Sequence, residues 1–198
     1  SSARKFMYPP EVVYTRVSTG GSSDYDAVLL GTGDREHPFD TTVQNRFYMF
    51  KDVNIGPSPI SASGNYTESD LFDATSNCIQ DSSACAGSGI ASSSVAESTL
   101  DASSGWYIRL TEGEKVVTNA VVLNNITFFN TNTPSSVATS GTITSDLGQA
   151  RAYQVQYDHD SFAKDTHNDC VRDGDDRYRG AAGGGSGPSP VRVIVEIG

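Results

Sequence analysis

The amino-acid sequence predicts an all-β protein whose antiparallel strands are joined by long loops. The 198 residues include 19 glycines and only 36% hydrophobic residues, while serine and threonine are abundant. Glycine and small polar residues are unfavourable inside helices and common in turns, so this composition favours strands over a helical bundle. Short apolar runs, several with two-residue alternation, recur between the turn-rich segments. The length suits one sizeable domain.

Three strands are predicted near the N-terminus. Pro9 and Pro10 cannot donate hydrogen bonds to a sheet, so the first strand is expected after them, over residues 11–16. Residues 27–31 (AVLLG) form an apolar run that is too short for a helix and ends in a glycine-flanked turn. The aromatic run RFYMFK, residues 46–51, is the third predicted strand.

Residues 54–104 are interpreted as a loop insertion within the domain. The segment is rich in turn residues and serine, and a single short helical turn is expected at residues 69–72. This composition fits either a binding loop or an insertion that has no binding role. Cys78 and Cys85 lie seven positions apart in it and are predicted to form a disulfide, which would stabilise the fold by about 2.5 kcal/mol. Cys170 is either free or paired with another segment, and the spacing does not indicate a zinc site.

Strand patterns return after residue 104. The run GWYIRL, residues 105–110, alternates so that Trp106, Ile108 and Leu110 share one face. Residues 116–123 and 126–130 are expected to form a hairpin across Asn124-Asn125, a dipeptide that tolerates positive φ. Two further alternating strands are predicted, at residues 152–157 and 191–197.

Three similar segments open successive blocks of strands: PPEVV at residues 9–13, TNAVV at 118–122 and PSPVRV at 188–193. Recurring antiparallel blocks indicate β-propeller blades. Two blades and the beginning of a third are too few to close a ring and would leave sheet edges and apolar faces uncovered. Residues 1–198 are therefore predicted to be a single partial propeller domain, completed by another part of the polypeptide or by a separate chain.

The loop after the second predicted strand carries four ionisable residues in succession, Asp34, Arg35, Glu36 and His37. They could provide a carboxylate pair and a base, or Arg35 could pair with a carboxylate and lock the turn. Loops on a strand scaffold often carry working residues, so this is a candidate surface contact loop. The sequence has neither a GxSxG nucleophile elbow nor a phosphate-binding loop, which argues against these enzyme classes.

The segment of residues 158–176 is a candidate calcium site because it is rich in oxygen ligands. The predicted ligands are Asp158, Asp160, Asp173, Asp175 and Asp176. Basic residues interleave with them and the spacing is not that of an EF-hand, so a solvated loop is the alternative. The net charge of −10 and the pI near 4.6 argue against nucleic-acid binding, although simple solubility also explains them. No apolar run is long enough to cross a membrane, and no secretory leader pattern is present.

Several ordered motifs resemble the C-terminal domain of the PilY-type family of type IV pilus biogenesis proteins and tip adhesins. These motifs are RKFMYPPEVV, GTGDREHPF, NRFYMFKD, GWYIRL, GEKVVTNAVVLNNITFFNTNTP and GGGSGPSPV. The resemblance implies a partial quinoprotein-like β-propeller of four-stranded blades, exported to the cell surface, the pilus tip or the outer membrane. It implies a non-enzymatic fimbrial role in pilus assembly, retraction control and adhesion.

The expected partners are minor pilins, the rest of the propeller, and host or surface ligands. The family often carries a separate calcium loop of the DxNxDGxxD type, which the run 173–176 only partly matches. Two alternatives remain open: a structural subunit of another extracellular filament, and a quinoprotein-dehydrogenase-like fragment. The latter needs a ring-stacking tryptophan, and since Trp106 is the single tryptophan, no quinone is expected.

Overall fold

The computed structural model describes residues 3–16, 24–54, 66–76, 78–79, 82–86, 88–135, 148–158 and 178–181, the last four by their backbone. The predicted strand at residues 191–197, the third block, and Cys170 lie outside these ranges. So do four of the five predicted calcium ligands, Asp160, Asp173, Asp175 and Asp176.

The first sheet contains five strands in the order β1-β2-β3-β5-β4. They are β1 (Glu11–Thr15), β2 (Tyr25–Gly31), β3 (Arg46–Asp52), β4 (Phe72–Asp73) and β5 (Gly105–Arg109). Neighbouring strands are antiparallel except at β4, which joins β5 in parallel. The predicted strands of this region are therefore confirmed to within two residues at each end.

The second sheet has the order β10-β9-β8, and two short strands pair with opposite ends of β8. Its strands are β6 (Lys115–Val116), β7 (Val121–Leu123), β8 (Ile126–Thr133), β9 (Gln149–Gln156) and β10 (Tyr178–Ala181). The hairpin prediction is confirmed, since Asn124 and Asn125 have φ values of 50° and 64° between β7 and β8. Val116 does not extend this hairpin, because β6 pairs with Thr131 and Asn132 at the far end of β8.

The region of residues 54–104 contains more regular structure than its sequence indicated. The expected helical turn is a 3₁₀ helix at Glu68–Asp70, and the chain then enters β4 instead of leaving the sheet. A helix, α1 (Ser93–Ala102), follows and was not predicted. The Ser92 side chain caps it by accepting from the Val95 N–H, and only Ala96 and Leu100 are buried. Two buried apolar residues in ten give only a weak sequence pattern for a helix.

The core lies between the two sheets. Phe47 of the first sheet stacks on Phe129 of the second with ring centroids 3.8 Å apart, and Phe129 stacks on Tyr153 at 4.6 Å. Trp106 is fully buried beside them and its Nε1 donates to the Tyr157 carbonyl at 2.8 Å. Burying each large apolar side chain contributes about 1.5–3 kcal/mol. As predicted, Trp106, Ile108 and Leu110 belong to this core.

A buried carboxylate ties the turn after β5 to the second sheet. Glu114 is fully buried, and its Oε1 accepts from the hydroxyls of Thr131 at 2.5 Å and Tyr153 at 2.9 Å. Its Oε2 accepts from Arg151 at 2.7 Å and from the backbone and hydroxyl of Thr111 at 3.0 and 2.6 Å. Its carbonyl accepts from Asn45, just before β3, at 2.8 Å. The connection between the sheets is therefore polar as well as apolar.

The described strands confirm the all-β class, with two packed sheets and one α-helix. They make no closed ring of blades within the described ranges. Among these residues, each helix is too short or too polar to cross a lipid bilayer.

Candidate contact site at the β2–β3 loop

The loop between β2 and β3 begins at a junction of three segments. The Thr32 N–H donates to the Arg46 carbonyl at 2.8 Å, and the Thr32 carbonyl accepts from the Val116 N–H of β6 at 3.1 Å. The Gly33 N–H donates to the Lys5 carbonyl at 3.0 Å. The backbone of the loop is therefore held by β3, by β6 and by the N-terminal segment before its charged residues begin.

Asp34 organises the turn that follows. Its Oδ1 accepts from the backbone N–H groups of Glu36 at 3.0 Å and His37 at 3.3 Å, the pattern of an Asx turn. Its Oδ2 lies 3.0 Å from the His37 Nδ1. Asp40 repeats the arrangement further along by accepting from the N–H and hydroxyl of Thr42. Short-range hydrogen bonds thus define the loop conformation.

The cation that pairs with the carboxylates of the loop is Lys5, from a distant part of the sequence. Its Nζ lies 2.7 Å from the Asp34 Oδ2 and 3.2 Å from the Glu36 Oε2. The hydrogen bond from Lys5 is the main reason that the pKa of Asp34 lies well below its usual range, and these carboxylates raise the pKa of Lys5. The structure thus gives both carboxylates a partner in Lys5, whereas the pairing of Arg35 with a carboxylate stays a prediction.

Three loop side chains could in principle hold a metal ion. The carboxylates of Asp34 and Glu36 and the His37 imidazole place their ligand atoms within 4.8 Å of one another. The Lys5 ammonium already pairs with both carboxylates, so a cation would have to displace it. The side chains of Glu36 and His37 are each 66% exposed, which makes them accessible to another molecule. The arrangement is an outward-facing salt-bridge cluster, and its use as a contact surface stays a prediction.

A cavity of about 220 Å³ lies beneath this cluster. Its lining consists of Ala3, Lys5, Asp34, Asp40, Val43, Asn45 and Lys115. The Lys115 Nζ donates to the carbonyls of Asp40 and Gly113, and burial lowers the pKa of this lysine. The cavity wall is thus built by the loop, the N-terminal segment and β6 together.

Cys78 and Cys85 form the predicted disulfide, with their Cα atoms 4.6 Å apart. Both are buried against the core. The Cys78 carbonyl accepts from the Ser93 hydroxyl at 2.7 Å, which ties the bridge to the start of α1. The disulfide therefore anchors this part of residues 54–104 to the fold.

A second polar cluster, on the outer face of the first sheet, escaped the sequence analysis. The Glu68 carboxylate forms ion pairs with Arg4, at 2.9 Å, and with Arg46. The Arg46 guanidinium lies 4.5 Å from the centre of the Tyr107 ring, a cation–π geometry. Two-residue alternation in β3 would have placed Arg46 and Tyr48 on the same face of the sheet. Their partners lie in distant segments, and no local sequence pattern indicated those contacts.

Asp158 is the one predicted calcium ligand within the described residues. It follows β9, and its Oδ2 lies 3.5 Å from the Asn125 Nδ2. Its Oδ1 is buried and has no hydrogen-bond partner in the described part of the chain. A carboxylate oxygen of this kind fits a cation ligand, but calcium binding stays a prediction because it needs oxygens from residues outside the described ranges.

The fold and its sites define an all-β scaffold of two packed, mainly antiparallel sheets. The sequence matches no family model and no curated protein. The structure is similar to the crystal structure of the Pseudomonas aeruginosa PilY1 C-terminal domain, with a TM-score of 0.54 and 14% sequence identity. The match covers 87% of this chain and 36% of that one, so the chain spans about a third of the domain it matches. At this identity the likeness establishes a relationship of fold.

Proposed function

We propose that the protein is a non-enzymatic component of the type IV pilus system, exported to the cell surface and active at or near the pilus tip. The observation that carries the proposal is the likeness in fold to the PilY1 C-terminal domain across 87% of the chain. The ordered sequence motifs that resemble the PilY-type family point in the same direction. The roles that follow are pilus assembly, control of retraction and tip adhesion.

The architecture that suits this role is a partial β-propeller. Two four-stranded antiparallel meanders, β1-β2-β3-β5 and β7-β8-β9-β10, pack face to face, as successive blades do. Because the chain spans 36% of the PilY1 domain, the remaining blades would come from further polypeptide. A rigid scaffold of this kind presents its loops for recognition.

A binding role is favoured over catalysis by the chemistry of the described clusters. Glu114 and Asp34 are engaged by donors and cations of the chain itself, an arrangement that stabilises structure. Trp106 is fully buried between the sheets, so a quinone could not stack on it. Calcium held by Asp158 and the acidic residues after it would have a structural role instead of a catalytic one.

The loop of residues 34–40 is the proposed contact surface. Glu36, His37 and Phe39 are exposed at its tip, and Phe39 is an unusually open aromatic side chain at 68%. An exposed aromatic residue beside charged groups is typical of interaction hot spots. Minor pilins and the remaining blades are the proposed partners, with host or surface ligands as adhesion targets.

Gene replacement in the source organism tests the proposal. Deletion is expected to reduce surface pili, measured as pilin in the sheared fraction and by electron microscopy, and to reduce surface attachment. The protein itself is expected in the sheared fraction. Repeating the deletion in a strain that lacks the retraction motor separates assembly from retraction control. Pili that return in this strain would show that the protein acts on the balance between extension and retraction.

A pair of loop variants tests the contact surface. Phe39→Ala is expected to reduce attachment without changing the amount of protein, whereas Val53→Ala, at another exposed apolar position, is the matched control. A pilus role would be refuted by unchanged pili, motility and attachment in the deletion strain, together with absence of the protein from the sheared fraction of the parent strain. Equal behaviour of the two variants would refute the contact loop alone.

A further inference from the structure

The cavity beneath the β2–β3 loop is lined by a buried lysine of β6, Lys115. This residue is only 6% exposed, and it pairs in the second sheet with Asn132 of β8. The backbone of Gly33 lies against the base of its side chain, because a Cβ atom added at Gly33 would come 3.0 Å from the Lys115 Cβ. The strand pairing and this close approach together fix the point from which the lysine side chain begins.

The Lys115 ammonium group is only partly compensated for a buried charge. Its Nζ donates to the backbone carbonyls of Asp40 and Gly113, which are neutral acceptors. An ammonium group has three donors, so within the described residues these two bonds leave a third N–H for a further acceptor. Burial lowers the pKa of Lys115 by more than the nearby carboxylates of Asp40 and Asp34 raise it. The site therefore favours an additional negative charge beside this lysine.

The other charged residues of the lining limit the charge of a ligand. The cavity is lined by two lysines, which disfavour a metal ion, and by Asp34 and Asp40, which disfavour an anion of multiple charge such as phosphate. The second lysine, Lys5, already pairs with the Asp34 carboxylate at 2.7 Å. A single negative charge, placed at Lys115, is the charge that suits this lining.

The cavity also has an apolar part and room for an organic group. Ala3 and Val43 contribute aliphatic surface to the lining. The volume of about 220 Å³ is many times the roughly 10–15 Å³ that a single water needs. A carboxylate on a short aliphatic stem combines one negative charge with apolar surface, and its hydrogen bond from an ammonium group is stronger than one between neutral groups.

We propose that this cavity binds a carboxylate group on a short aliphatic stem, with the Lys115 ammonium as its donor. The same chemistry has two sources. One is a small free organic acid, and the other is an aspartate or glutamate side chain of a protein that contacts the loop above the cavity. The site follows from the cavity and its lysine alone, so it does not depend on the pilus role.

Titration of the full 198-residue chain with propionate tests the proposal, with the backbone amides followed by nuclear magnetic resonance. Propionate has the charge and the stem that the cavity requires, and propionamide is its neutral counterpart of the same shape. At constant ionic strength, propionate is expected to shift the amide resonances of Val43 and Lys115 until they saturate. Propionamide is expected to leave both unchanged.

Three variants separate the cavity from the general effect of losing a lysine. Lys115→Met should weaken propionate binding by about tenfold or more, the effect of losing a hydrogen bond from a charged group. Val43→Phe keeps the lysine but fills the cavity, so it should also abolish binding, and it decides the question if Lys115→Met does not fold. Lys51→Met is the matched control, because Lys51 also donates to two backbone carbonyls and burial also lowers its pKa, but it lies outside the cavity lining.

Two capped tripeptides, Gly-Glu-Gly and Gly-Gln-Gly, distinguish the sources of the carboxylate. Affinity for the glutamate peptide that exceeds the affinity for propionate by about tenfold would identify a protein side chain, and equal or lower affinity would identify a free acid. The proposal would be overturned if neither propionate nor the glutamate peptide bound, or if the neutral counterparts bound equally well. Propionate binding that survived in both Lys115→Met and Val43→Phe, or that fell equally in Lys51→Met, would overturn it too. These measurements do not involve pili, so a failure of the pilus role would leave them standing.

Discussion

Replacing Glu114 with leucine is expected to destabilise the protein by about 3–5 kcal/mol, the range measured when one partner of a buried ion pair is removed. The carboxylate accepts five hydrogen bonds, from Thr111 (two), Thr131, Arg151 and Tyr153. The Arg151 side chain is only 12% exposed. In the variant, its guanidinium would therefore lose the Glu114 ion pair at a position that water reaches poorly. Glutamine should not rescue the site, because its amide NH₂ would face donors.

Urea unfolding followed by fluorescence measures the effect, since the single tryptophan, Trp106, is fully buried. With an m value of about 2 kcal/mol/M, the midpoint should fall by roughly 2 M. Glu112→Leu, in the same turn but exposed, is the matched control and should shift stability by less than about 0.5 kcal/mol. A loss of under about 1 kcal/mol in Glu114→Leu, similar to the control, would refute the reasoning that the buried carboxylate links the sheets.

Three further predictions address the loop, the disulfide and the helix. Because the pKa of Asp34 is depressed in the folded state, its stabilising contribution is present above its unfolded pKa and is lost as the pH falls below about 4. Asp34→Asn should therefore flatten the acid limb of stability against pH, measured by thermal unfolding. Replacing Cys78 and Cys85 together with serine should cost about 2.5 kcal/mol, measured by urea unfolding. Leu100→Ala should cost about 2–5 kcal/mol, whereas Val95→Ala, 46% exposed on the same helix, should cost far less.

Each of these has a result that would contradict it. An acid limb that is the same with aspartate and asparagine at position 34 would remove the stabilising role of the Lys5 pair. Equal stability of the oxidised protein and the double serine variant would mean that the bridge constrains nothing. Similar losses at Leu100 and Val95 would mean that α1 is not docked through Leu100.

Most of the sheet could be predicted from the sequence because strand formation depends on local pattern. Two-residue alternation located β5 and β9, the paired asparagines located the β7–β8 hairpin, and the cysteine spacing indicated the disulfide. These signals need only neighbouring residues, since alternation, turn preference and loop closure act over a few positions. The all-β class follows from the same patterns.

The contents of the candidate sites depended on contacts that local pattern does not encode. Asp34 had an arginine beside it in sequence, yet its partner is Lys5, which the fold brings within 2.7 Å. The buried Glu114 occupies a turn that reads as exposed and polar, and it is buried because β8 and β9 close over it with matching donors. β4 and α1 exist because the first sheet offers an edge and an apolar surface to a serine-rich segment that has few anchors of its own. The sequence by itself determined the main strands of the two sheets. The added strands β4 and β10, the pairing between distant charges and the burial between sheets were decided by tertiary structure, because all of them depend on which distant segments are brought together.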